Sequence, residues 1–280
     1  MTASQTITPP APRRGTTALA TGAFLAILRR DLLVTGREFV AFILQAFMQP
    51  LFYLFIFGVV LPKVGIASAG YGAVLLPGVV TLTVFLAAVQ GVMLPLSLDL
   101  GFTREIDDRL LSPAPVWAIV VEKILFATLR GLISAVIIFP LAYLILGDEY
   151  QVRTDAIPLL IGLVVLTAIV GASLGLVMGT VVPAEQIALA FAVLFTPMLF
   201  TGCLQYAWHD LHVLRGFQVV TLFNPLTYSA EGLRYAMIPH LSDGQAVQTL
   251  PIGWALAGLV GFCALFFTLG IRSFRNRAIR

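Results

Sequence analysis

The chain is short of charge: 11% of its 280 residues are Asp, Glu, Lys or Arg, whereas 59% are hydrophobic. That leaves too little polar surface to cover a water-soluble globule, so much of the apolar surface must face lipid. Cysteine is scarce as well. Cys203 and Cys263 lie in separate apolar segments without metal-ligand spacing, so neither a disulfide framework nor a zinc site is indicated, and both are expected to be packing or lipid-facing thiols. The sequence contains no Gly-x-x-x-x-Gly-Lys-Ser/Thr. Lacking that loop of backbone amides and its lysine, the chain has no recognisable ATP site of its own. No Ser/His/Asp or paired-carboxylate arrangement points to catalysis either, so an enzyme is not expected. A pI of about 9.1 could signal nucleic-acid binding, but the basic residues flank apolar runs and form no single patch.

What the sequence does have is apolar runs of membrane-crossing length. A helical span needs roughly 20 mainly apolar residues, and the chain accommodates six: 39–61, 75–98, 124–146, 157–182, 187–206 and 252–271. Ahead of them, residues 1–21 contain Pro9, Pro10, Pro12, Arg13 and Arg14 but no apolar core of signal-peptide length, which reads as a disordered cytoplasmic tail. In 22–38, Phe24, Leu25, Leu28 and Leu32 share one helical side and Arg30 and Arg37 the other, the pattern of a helix lying on the membrane surface. Residues 207–245 carry apolar runs too short and interrupted to cross.

Orientation follows from the basic residues. Arg13, Arg14, Arg29, Arg30, Arg37, Arg104, Arg109, Lys123 and the arginines after 271 fall on one side, against Lys63, Arg153, Arg215 and Arg234 on the other. Positive charge collects on the cytoplasmic side, so both termini are expected there, in agreement with an even number of spans. Only Arg130 sits clearly inside a span, and near its inner end it is expected to snorkel toward the cytoplasm. The scarcity of mid-membrane charge and the absence of an internal repeat speak against an ion-driven secondary transporter.

Two segments carry functional signals. Residues 99–118 read as a short charged helix ended by Pro113 and Pro115, in which Arg104, Glu105 and Arg109 stand among Phe102, Leu110 and Leu111. Apolar anchors supply affinity and charges fix register, so this composition suits docking into a groove of a soluble partner. In Leu222-Phe223-Asn224-Pro225-Leu226-Thr227, Asn224 can cap a helix whose first turn holds Pro225, a start for helices that enter the membrane and return.

The order of surface helix, two spans, an Arg-Glu loop running into Arg109-Leu110-Leu111-Ser112-Pro113, and a third span opening at Glu122-Lys123-Ile124-Leu125 resembles the type-2 ABC exporter permeases. So does the Asn224-Pro225-Leu226-Thr227 element followed by Arg234, although Trp208-His209-Asp210-Leu211-His212-Val213-Leu214 replaces the proline-rich approach of that family. The resemblance implies an all-α integral membrane protein with an interface helix, six transmembrane helices, a cytoplasmic coupling helix and re-entrant outer helices. It also implies a bacterial plasma-membrane exporter made of two permease chains, identical or different, and separate P-loop ATPase subunits that carry ATP and Mg, so that this chain needs no cofactor.

A drug-like or lipid-like substrate is expected, with a polysaccharide or lipid-linked glycan as the alternative. Phe191, Phe195, Phe200 and Tyr206 run along the fifth span and could line the route, although a packing stripe reads the same way. His209, Asp210 and His212 form the one cluster with a hint of metal chemistry. Beside Trp208, an interfacial anchor is the simpler reading.

Overall fold

The structure, a computed structural model, describes residues 39–68, 70–99, 116–147, 150, 152–238 and 248–278. The expected tail (1–21), surface helix (22–38), most of the coupling segment (100–115) and the stretch 239–247 lie outside the described residues. The described elements are all helical. In chain order they are α1 (Phe39–Tyr53), α2 (Tyr71–Leu98), α3 (Val116–Leu146), α4 (Ile157–Val181), α5 (Ile187–Thr201), α6 (Arg215–Thr221), α7 (Pro225–Met237) and α8 (Ile252–Ala278).

Among the described residues, five helical stretches are long and apolar enough to cross a membrane: Tyr71–Leu98, Trp117–Leu146, Ile157–Val181, Ala184–Thr201 and Ile252–Arg277. A further apolar stretch, Phe47–Lys63, is shorter. It contains Pro50, which removes a helical donor, and beyond that residue the backbone widens into a π-helix over Leu54–Val60 before one more α turn at Leu61–Lys63.

Several helix limits differ from the sequence expectation, each for a local reason. α2 begins at Tyr71 and not at 75, because Gly70 takes a left-handed φ of 83° that breaks the preceding chain and lets the helix start. α5 stops at Thr201, short of 206, where Gly202 and the left-handed Cys203 (φ 51°) turn the backbone. α3 begins at Val116 and not at 124, so 116–118 belong to this helix. Glu122 and Lys123, expected in a solvated loop, are buried in α3 within the protein. The argument that kept them out of a span applies to lipid, whereas here the two side chains are covered by protein.

That earlier start also moves Arg130, which stands about 21 Å along the axis of α3. Its stem packs at the contact with α2, where a Cβ placed on Gly91 would come within 3.3 Å of Arg130 Cδ.

α2 is the buried centre, with α3 and α4 packed along it and α7 and α8 completing the body around α4. The α2–α4 seam is set by Gly171, Gly175 and Gly179, whose missing Cβ atoms would fall 2.7, 2.5 and 3.0 Å from the carbonyl oxygens of Phe85, Val89 and Met93. Lipid is as apolar as leucine, so helices in a membrane gain by close backbone approach, and small residues at a four-residue spacing permit it. At the far end of α4, Arg277 of α8 donates to the Thr180 carbonyl at 2.6 Å, an arginine placed to suit a helix C-terminus.

Candidate functional site

Where α5 ends, the chain turns through 202–207, runs as a 3-10 helix over Trp208–Leu214, and continues through α6 into α7. A turn leaves backbone donors and acceptors open, and away from water these must be paired within the protein. Asn224 supplies the first pairings. Its Oδ1 accepts from the Leu226 amide at 2.9 Å and caps α7, while its Nδ2 donates to the Met198 carbonyl at 2.7 Å and to Thr201 Oγ1 at 2.9 Å. Pro225 occupies the first turn, where a missing N–H costs nothing. Thr227 Oγ1 reaches the carbonyls of Thr221 (2.7 Å) and Thr201 (3.2 Å). The cap thus binds the last turn of α5 to the first turn of α7.

Arg234 is completely buried and forms an ion pair with Glu231, one turn away on α7 and equally buried. The guanidinium also donates to the carbonyls of Cys203 (3.0 Å), Leu204 (3.5 Å) and Val74 (3.3 Å). Glu231 accepts the Trp208 amide on Oε1 and the Leu250 amide on Oε2, each at 2.9 Å. One pair of opposite charges therefore satisfies the backbone at the end of α5, the start of α2 and the approach to α8. Tyr71 adds a bond from its hydroxyl to the Gln205 carbonyl at 2.6 Å. α4 is tied in through Thr167, which donates to Ser229 at 3.0 Å, and the segment that precedes it through the Arg153 amide, which donates to the Met237 carbonyl at 3.0 Å.

Arg234 was expected among the exposed basic residues that set orientation, and its burial removes it from that comparison. Glu231 was missed in the sequence, although a Glu and an Arg three residues apart inside an apolar stretch are the signature of a pair that can be buried together. The same junction encloses Cys203. Burial, reinforced by the Glu231 carboxylate, pushes its thiol up to about 11. Nearby, burial pushes the Tyr206 phenol up to about 12, and its hydroxyl donates to the Phe200 carbonyl.

The four aromatic residues expected along the fifth span do not act alike. Phe191 stacks on Phe195 with centroids 4.3 Å apart, and Phe195 turns inward against Phe85 of α2 at 6.3 Å. Phe200 faces outward, and Tyr206 lies beyond the helix. His209 and His212 stand with ring centroids 5.7 Å apart on an exposed 3-10 turn, and His212 Nδ1 lies 3.0 Å from the His209 carbonyl. Among the described residues, no group of three His, Cys, Asp or Glu is placed to hold a metal ion. Phe102, Arg104, Glu105, Arg109, Leu110 and Leu111 lie outside the described residues.

The family model for the ABC-2 type transporter matches residues 22–238, most of the chain. The chain belongs to the ABC-2 type transporter family. No curated protein matches it significantly. As an ABC-2 permease it is a multi-pass membrane protein, and the family match extends through the end of α7 and so includes Asn224, Glu231 and Arg234.

Proposed function

We propose that this ABC-2 permease is the transmembrane subunit of an ATP-driven exporter that moves an amphipathic drug-like or lipid-like molecule out of the cytoplasm or inner leaflet. The observation that carries the reading is the family match over 22–238 on a chain whose described residues hold five membrane-length apolar helices. A sequence free of any phosphate-binding loop supports a separate P-loop ATPase as the source of energy. Two permease chains, identical or different, would flank the substrate route.

In this reading residues 39–63, continuous helix through the π segment, supply a sixth crossing beside the five. Six crossings place both termini on the cytoplasmic side of a bacterial inner membrane, and the basic residues of 1–38 and the tail support that orientation. The segment 99–118 contacts the ATPase through Arg104, Glu105 and Arg109, with Phe102, Leu110 and Leu111 as anchors. The helices of 207–245 dip into the outer leaflet, where backbone that does not cross must be packed against protein, as α7 is. Closure of the ATPase pushes the coupling segment and opens a route past α5.

A pull-down of the tagged chain from mild detergent, followed by an ATPase assay of the eluate, tests the proposal. A co-purifying P-loop ATPase that is released by charge reversal of Arg104, Glu105 and Arg109 supports it. Transport by the homogeneous chain without ATP sinks it.

A further inference from the structure

α5 is attached to the rest of the described protein very unevenly. Only Ile187 and Phe195 are buried along it, and Leu189 and Val193 are 67% and 66% exposed. Its hydrogen bonds to other elements fall in its last turn and the following turn: Met198 and Thr201 to Asn224, Thr201 to Thr227, Cys203 and Leu204 to Arg234. The same turn lies directly on α2, since a Cβ on Gly78 would stand 1.8 Å from the Leu204 carbonyl oxygen. Among the described residues, a helix fixed by a hydrogen-bonded, backbone-close junction at one end and elsewhere by the apolar packing of Ile187, Ala190, Phe191 and Phe195, without hydrogen bonds, has one stiffer end and one more compliant end.

We infer that Glu231 and Arg234 are positioning residues that make the 202–208 turn a fixed pivot, about which α5 swings with its Ala184 end as the moving end. Three features of the pair, and one of its neighbours, fit this role. It is buried, so water does not compete for its bonds. It engages backbone groups, so the point it holds is the main chain itself. Its bonds run to the start of α2 and the approach to α8 as well as to the turn, so the pivot is anchored in the body. The neighbouring Asn224 and Thr227 hold α5 to the same helix, α7, that carries the pair.

The inference rests on the export reading only for the use made of the swing, and the test can be read without any ATPase. Spin-label pairs are placed on the full chain in a lipid nanodisc, in a Cys263→Ser background with the buried Cys203 retained. Trp117→Cys with Glu185→Cys reports the Ala184 end, and Leu144→Cys with Phe200→Cys the junction end; all four positions are exposed. The expected distance distribution is about two-fold broader for the first pair than for the second. Glu231→Gln removes the charge and one of the two acceptors, and it should broaden the second pair toward the width of the first.

Thr227→Val, which deletes only the hydroxyl bonds to Thr201 and Thr221, should broaden it by less and serves where Glu231→Gln does not yield folded protein. Equal widths at the two ends, or a junction pair unchanged in the folded variants, overturns the pivot. Those outcomes leave the export reading standing, whereas absence of a co-purifying ATPase strikes the export reading and leaves the pivot intact.

Discussion

The α2–α4 seam and the α5–α7 junction hold helices together by opposite means. Along the seam the contact is made by small residues: Gly171, Gly175 and Gly179 let the backbones approach until the Cβ of any larger residue would crowd a carbonyl oxygen. At the junction a buried Glu231–Arg234 pair, Asn224, Thr227 and Tyr71 bind main-chain groups left open by a turn. The seam joins two regular helices whose backbone bonds are already satisfied, so close packing is all that remains to be gained. The junction joins ends, where donors and acceptors lack partners and leaving them unpaired is expensive. Rigidity between helices thus comes from missing side chains, and rigidity at their ends from added polar ones.

The largest expected effect is at the seam. Gly175→Leu would put a Cβ 2.5 Å from the Val89 carbonyl oxygen, and it should cost about 3 kcal/mol or more and abolish recovery of monodisperse protein by size exclusion. Gly162→Ala, on the same helix but in open space, should leave the melting temperature unchanged or slightly raised. If both behave alike, close approach is not what holds α2 to α4.

At the junction, Glu231→Ala leaves a buried guanidinium without its countercharge and should cost about 3–5 kcal/mol in thermal or denaturant unfolding. The double variant Glu231→Leu with Arg234→Met should recover much of that loss, because a well-packed apolar pair avoids the penalty of a single buried charge. Additive losses would mean that the backbone contacts outweigh the charge pairing. Asn224→Ala should cost about 1–2 kcal/mol, through the lost cap and the lost bonds to Met198 and Thr201. Tyr71→Phe should cost about 1 kcal/mol by removing the bond to Gln205.

The smallest effect is chemical. With its thiol raised to about 11, Cys203 should resist maleimide at pH 8 until the protein unfolds. The sign follows from the neutral thiol being favoured in the fold: stability is full below the ordinary value of 9.0 and declines as pH rises through 9.0 toward about 11. A Cys203→Ser variant should lose that decline.

Much of the helical layout was legible from composition and run length, because a segment such as 157–182 has no alternative to a helix once water is excluded. The Asn224-Pro225 start of α7 was legible too, since capping is local chemistry. The beginning of α3 was not. Glu122 and Lys123 look like loop residues to any reading that weighs them against lipid, and their burial depends on what surrounds them. The aromatic stripe was equally opaque: Phe195 packs on Phe85 while Phe200 faces outward, and no spacing along one helix tells which neighbour covers which face.

By itself the sequence determined that the chain is a bundle of lipid-facing helices without a phosphate-binding loop, because hydrophobic length and motif absence are properties of the chain alone. Only the tertiary structure decided that Arg234 is a buried partner of Glu231 and not an exposed orienting charge. The reason is physical: the place of an ionisable group depends on whether distant segments, here 74, 203–208 and 250, bring their backbone groups within hydrogen-bonding reach.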